Sequence, residues 1–296
     1  MPTDPIKKIY LYNAHGYGFG GRIDRPFQHV LDVHAGASLP TTGGYEVSRR
    51  ENFRLNEIIS YTAAHTVVAG SRNEKDGSYT TLASSTIEGL NILDMVTADR
   101  IVARVASKQL ITDDEPTITP IGSHFENLRI AGCPIEVELD TDLFNRFGTF
   151  SDFKKAYEAD QQHRERMQAA FLWGKPKFEV PDFLRERYNW FAGDKFPESK
   201  GIVLCSLVKG FKTCCGEFKD NCGELKVYGN VIDVPQFGKV YLGEVMLKQY
   251  ERQVTMLRLE LGSPSAGAQA SRCCNGANSG GDRPFTEQWC CAQSES

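Results

Sequence analysis

Asp99-Arg100-Ile101-Val102-Ala103-Arg104-Val105-Ala106 decides the fold class. Ile101, Ala103 and Val105 share one face of an extended chain while Arg100 and Arg104 share the other, the period of a half-buried strand. The same logic recurs on both sides, from Ile58 to Leu139. Tyr61, Ala63, His65 and Val67 alternate with Thr62, Ala64 and Thr66, and the charged stretch from Gly70 to Gly77 turns the chain into a second strand. Tyr79 to Ile92 carries small or β-branched residues on both faces, which places it inside a sheet with the strand Ile101 to Val105 beside it. Phe125 to Leu139 reads as a hairpin that turns at Ala131-Gly132-Cys133-Pro134, with Leu128, Ile130, Ile135, Val137 and Leu139 inward. The parity mismatch between Phe125 and Leu128 predicts a bulge.

Outward from this block the pattern changes twice. Ser151 is a candidate N-cap, and Phe150, Phe153, Tyr157, Met167 and Phe171 fall on one helical face. A second short helix follows Pro181, so residues 150–196 read as a helical insertion within a β-rich domain spanning 1–262. Strand character resumes at Ile202 to Cys205, Leu225 to Val234, Val240 to Leu247 and Val254 to Leu261. Beyond Gly262 the composition turns to Ser, Gly, Ala, Asn and Cys without periodicity, which predicts a disordered tail over 263–296. The expected architecture is mainly β, an antiparallel two-layer sandwich-like domain with a helical insertion.

The 296 residues are enough for a core without disulfide staples, and 34 basic against 38 acidic residues leave a net charge of −4. That balance argues against nucleic acid as a partner. No segment is long and apolar enough to span a membrane, and the N-terminus lacks the apolar core of a secretory signal. Nine cysteines without framework spacing suit reduced thiols, so the expected location is cytoplasmic.

Several constellations are candidate sites. Gly16, Gly18 and Gly21 match G-x-G-x-x-G after a strand, but no second strand ending in an acidic residue follows, so the glycines read as a β-turn or bulge and no cofactor is implied. Cys205, Cys214, Cys215 and Cys222 offer four thiols within eighteen residues, yet lack the C-x-x-C knuckles of a structural zinc site; buried or loop thiols are the competing reading. Ser123 and His124 point to opposite faces of one strand and cannot pair as nucleophile and base. His124 and Glu126 share a face, which permits acid-base work, and His15 sits beside the glycines where a loop residue could act. His65 reads as a core residue. Trp173, Tyr188 and Trp190 make the insertion aromatic and are the candidate ligand-binding residues, with docking of the helices onto the sheet as the competing role.

The run Thr81-Leu82-Ala83-Ser84-Ser85-Thr86-Ile87-Glu88-Gly89-Leu90-Asn91-Ile92, with Val96-Thr97-Ala98-Asp99-Arg100-Ile101, resembles the repeated-strand core of the bacterial choice-of-anchor proteins. Gly122 to Ile135 is similar to the hairpin that follows it in that group. The resemblance implies a β-rich bacterial protein, commonly at the cell surface, with no catalytic residues to carry over. The chain departs from that pattern in having no evident signal or anchor, and in its helical insertion. The expected role is a non-catalytic binding or scaffolding module for a protein or carbohydrate partner. The alternative is a hydrolase that uses carboxylate and histidine groups in a cleft between sheet and insertion.

Overall fold

The computed structural model describes residues 9–23, 28–162, 164, 181–188, 196, 203–212, 225–261 and 267–279, the last segment by its backbone. Two antiparallel sheets face one another across a single hydrophobic core. The first sheet opens with β1 (Tyr10–Ile23), β2 (His29–His34) and β3 (Ala37–Ser38). The chain then crosses to the second sheet and builds it as a meander of β4 (Gly44–Leu55), β5 (Ile59–Arg72), β6 (Tyr79–Ile92) and β7 (Val96–Gln109). Short strands β8 (Thr117–Thr119), β9 (His124–Glu126) and β10 (Arg129–Ile130) pair with β7, and β11 (Cys133–Pro134) pairs with β10.

The expected meander is therefore present. No bulge is present where the parity mismatch predicted one: β9 and β10 hold one register on β7, with Glu126 opposite Arg100 and Arg129 opposite Thr97, and the facing changes at Asn127, which adopts φ 49° between them. Ala131 and Gly132, at φ 51° and 76°, form the two-residue turn that carries β10 into β11. The return strand goes elsewhere: β12 (Glu136–Leu139) pairs with β14 (Val208–Lys212) in a separate two-stranded ribbon.

Helices α1 (Thr141–Arg146), α2 (Phe150–Ala159) and α3 (Asp182–Arg187) follow β12. The Asp140 side chain caps α1 by accepting from the Leu143 amide. The cap of α2 is Thr149 rather than Ser151, because Thr149 Oγ1 accepts from the Asp152 amide at 3.1 Å. Ser151 instead donates its amide and its hydroxyl to Glu115, at 2.9 and 2.7 Å. Phe144, Phe153, Tyr157 and Phe196 pack under these helices.

The chain then returns to the first sheet through β13 (Val203–Ser206), β15 (Lys226–Tyr228), β16 (Val231–Val234), β17 (Gly238–Lys248) and β18 (Glu251–Leu261). A final strand, β19 (Gly267–Ser279), runs between β18 and β1 and pairs with both. Residues 267–279 of the expected tail are thus a strand, because the backbone N–H and C=O groups along the edges of β1 and β18 take up a partner strand whatever its composition. Residues 280–296 lie outside the described residues.

A second correction concerns the glycines. Gly16, Gly18 and Gly21 lie inside β1 rather than in a turn, and the register of β1 against β2 shifts between Phe19 and Gly21, as the bulge reading allows. A Cβ at Gly18 would sit 2.7 Å from the Ala64 Cβ of β5, so glycine lets the two sheets close on each other there.

Candidate functional site

The outer face of the second sheet is organised by register. From the level of the positive-φ Gly89 onward, Ala64, Val68, Ala83, Ala103 and Val105 turn into the core. Reading across β4, β5, β6, β7 and β8, the outer residues pair in rows: Tyr45 with Ala69, Ala69 with Leu82, Leu82 with Ala106, and Ala106 with Thr119. The next row toward the middle of the sheet is Val47, Val67, Ser84 and Arg104. An open groove of about 450 Å³ lies over this end of the sheet.

Its floor is Ala69, Leu82 and Ala106, and Ile121 lines it; Ser71, Thr80, Thr117 and Thr119 supply hydroxyls. Tyr45 and Ile121 are 65% and 51% exposed, and Val47 is 45% exposed. The usual outer face of an antiparallel sheet is polar, so an apolar floor with hydroxyl walls is a departure that calls for an occupant. The cation at the rim, Lys108, is held by Asp76 at 2.7 Å. Asp76 also accepts from the Ser78 amide and hydroxyl, and the Lys108 bond first, then those two, hold its carboxyl far below the usual carboxylate range. The groove is thus walled by neutral groups with a neutralised pair at its edge.

About 20 Å further along β7, the face becomes charged. Arg100 contacts Glu88 at 3.0 Å and Glu126 at 3.4 Å, and His124 Nε2 lies 3.0 Å from the same Glu126 oxygen. His124 Nδ1 is 2.9 Å from the Gly122 carbonyl. The structure therefore brings His124 and Glu126 together as their shared face predicts. It also satisfies them: both ring nitrogens face acceptors, and the carboxylate is shared with a guanidinium. Both side chains are exposed by more than two fifths, on an open sheet rather than in a cleft. Ser123 is turned away and stitched to β7, accepting from the Arg104 amide at 2.9 Å and donating to the Arg104 carbonyl at 3.1 Å.

The remaining candidates scatter. His15 is a half-buried residue of β1 opposite Ser38, on the first sheet, so it belongs to a strand rather than a loop. His65 sits half-buried on the outer face in the row of Arg49 and Thr86, whereas Tyr61 faces inward; the strand changes phase at Thr62 and Ala63, opposite the positive-φ Gly89. Cys205 is a buried free thiol whose ionisation burial pushes far up, so it packs as an apolar side chain. Cys214, Cys215 and Cys222, like Trp173 and Trp190, lie outside the described residues. Among the described residues no group of three or more His, Cys, Asp or Glu is placed to hold a metal ion.

Tyr188 is buried, and its role is docking. It closes the most charged cluster of the interior, where Glu244 of β17 receives Arg187 of α3 and Arg258 of β18, each at 2.7 Å, together with the Tyr188 hydroxyl. Burial alone would raise the Glu244 ionisation, but the two guanidiniums outweigh it and hold the carboxyl far below its ordinary value. Arg258 also lies 3.5 Å over the Tyr241 ring. With every charge engaged and Glu244 buried, this cluster fastens α3 to the first sheet.

The family model for a domain of unknown function, DUF8256, matches residues 10–248. The chain belongs to this family. No curated protein and no solved structure matches it. The match runs from β1 to the end of β17, so the groove lies within the part of this chain that the DUF8256 family shares.

Proposed function

We propose that this DUF8256 chain is a non-catalytic binding module that holds an elongated, uncharged ligand along the outer face of its second sheet. The observation that carries the reading is the apolar-floored groove over Ala69, Leu82 and Ala106, with threonine and serine hydroxyls along its walls and the exposed Tyr45 paired beside Ala69 on the neighbouring strand. Such a surface offers ring stacking and flat apolar contact to a sugar or an extended peptide, with hydroxyls to fix register. The hydrolase alternative finds less support, because His124 and Glu126 are exposed and mutually satisfied and Ser123 bonds to backbone.

Screening the whole chain against arrays of neutral oligosaccharides and extended peptides tests the proposal. Ala69→Arg and Ala106→Arg, each of which drives a long charged side chain into the groove from an outward position, should cut any binding by tenfold or more. Binding that survives both variants would remove the groove from consideration. Turnover of any array member that is lost in His124→Ala would restore the hydrolase.

A further inference from the structure

The two sheets end on the same side of the molecule in strands whose free edges are open. β2 ends the first sheet and β4 the second, and the His34 ring of β2 packs on Phe53 of β4 at 4.4 Å. β4 is twelve residues long, and from Gly44 to Glu51 only Ser48 is even half-buried. Strands in a sandwich bury at least one face, so a strand left bare on both is short of a neighbour. Among the described residues, Val30 (67%) and Val33 (55%) on β2 and Tyr45 (65%) and Val47 (45%) on β4 are large apolar side chains exposed on these two edge strands.

The charges on β4 say what the neighbour is. Arg49 is answered within the strand by Glu51 at 2.6 Å. Glu46 and Arg50 have no ion-pair partner among the described residues, Arg50 lying 5.1 Å over the Phe53 ring, and they stand four apart with opposite sign. Two copies of one strand can pair antiparallel only about a two-fold axis perpendicular to the sheet, and residues opposite one another must then share a face, so the numbers of each pair sum to an even value. A sum of 98 sets Arg49 against itself, and 94 leaves Arg50 unanswered. A sum of 100 sets Arg50 against itself and runs the pairing through Asn52, whose φ of 52° interrupts the strand. A sum of 96 puts Ser48 on the axis and each Glu46 opposite Arg50 of the second copy, so both unanswered charges are met twice.

We infer that β4 pairs antiparallel with β4 of a second copy of this chain about Ser48, joining the two second sheets into one continuous sheet with Glu46 and Arg50 bridging across the axis. Charged side chains deter indiscriminate pairing at an edge, and a self-complementary arrangement of them admits one partner in one register.

Sedimentation equilibrium of the whole chain tests the pairing. The wild-type chain should be a dimer. Glu46→Arg and Arg50→Glu each place like charges across the axis and should weaken the dimer by about tenfold or more, while the double variant, which restores the pair with its polarity exchanged, should recover the wild-type dissociation constant. Unchanged far-ultraviolet circular dichroism in all three establishes that the exposed substitutions leave the fold intact. A monomer at every concentration, single variants that dimerise as well as wild type, or a double variant no better than either single would each overturn the proposal.

Discussion

His34 and Tyr61 show how a buried polar pair constrains the molecule at the level of single residues. Both lie in the core, their Nδ1 and hydroxyl 2.6 Å apart, ringed by Phe19 and Phe53. Burial, then the nearby Arg50 charge, lowers the His34 ionisation from 6.5 to about 4, and burial raises Tyr61 to about 12, so the bond joins two neutral groups. Between pH about 6.5 and about 4 the unfolded chain takes a proton at His34 that the folded chain refuses. Stability therefore falls as pH falls through that window, by roughly 3 kcal/mol at about 1.4 kcal/mol per pH unit. Urea denaturation at steps between pH 7 and 4 should show this slope, and His34→Gln should flatten it. Glu244 makes the sharper case: Glu244→Gln leaves Arg187 and Arg258 buried around a neutral amide, and chemical denaturation should register a loss of about 3–5 kcal/mol. Neither pair is legible in the sequence, because His34 meets Tyr61 from the other sheet, and Glu244 meets Arg187 across 57 positions.

Elements were legible where the side-chain period carried the signal. The β5–β6–β7 meander stands where the strand period puts it, whereas β17 and β18 are buried on both faces, which is why Leu242, Val245 and Met246 suit a helix equally well in sequence. The stretch from His15 to Gly21 misled for a physical reason: glycine serves turns and close packing alike, and only the approach of β5 distinguishes them. Gly18→Ala should therefore cost about 1–3 kcal/mol in thermal or chemical unfolding, and adding Ala64→Gly should return most of that loss by reopening the space the new methyl needs. The groove has only a faint signature in the sequence. Small and apolar residues occupy the outward positions 69, 82 and 106 of three successive strands, a pattern that appears only after the register aligns them.

For the whole molecule, the decisive contact is the closure of the first sheet by β19 between β18 and β1. A chain ending at Gly262 would leave two long strands unpaired along their facing edges, and it should fail to give a cooperative unfolding transition, whereas one ending at Gly280 should retain it. Calorimetry of the two truncations checks this. Long range also governs Arg252, which is buried in β18 and donates to the carbonyls of Ile118 and Phe147, fastening the edge of the second sheet and the start of the helical layer to the first sheet. Burial lowers its ionisation to about 10, so it stays a cation at neutral pH. By itself the sequence determined the β class, the order of the meander and the presence of a helical insertion, because those follow from periodicities that act over a few residues. Tertiary structure alone decided that the last strand is a strand, that His124 and Glu126 satisfy each other in the open, and that the outer face of the second sheet is grooved. Each of these depends on which distant residues become neighbours, and local period carries no information about them.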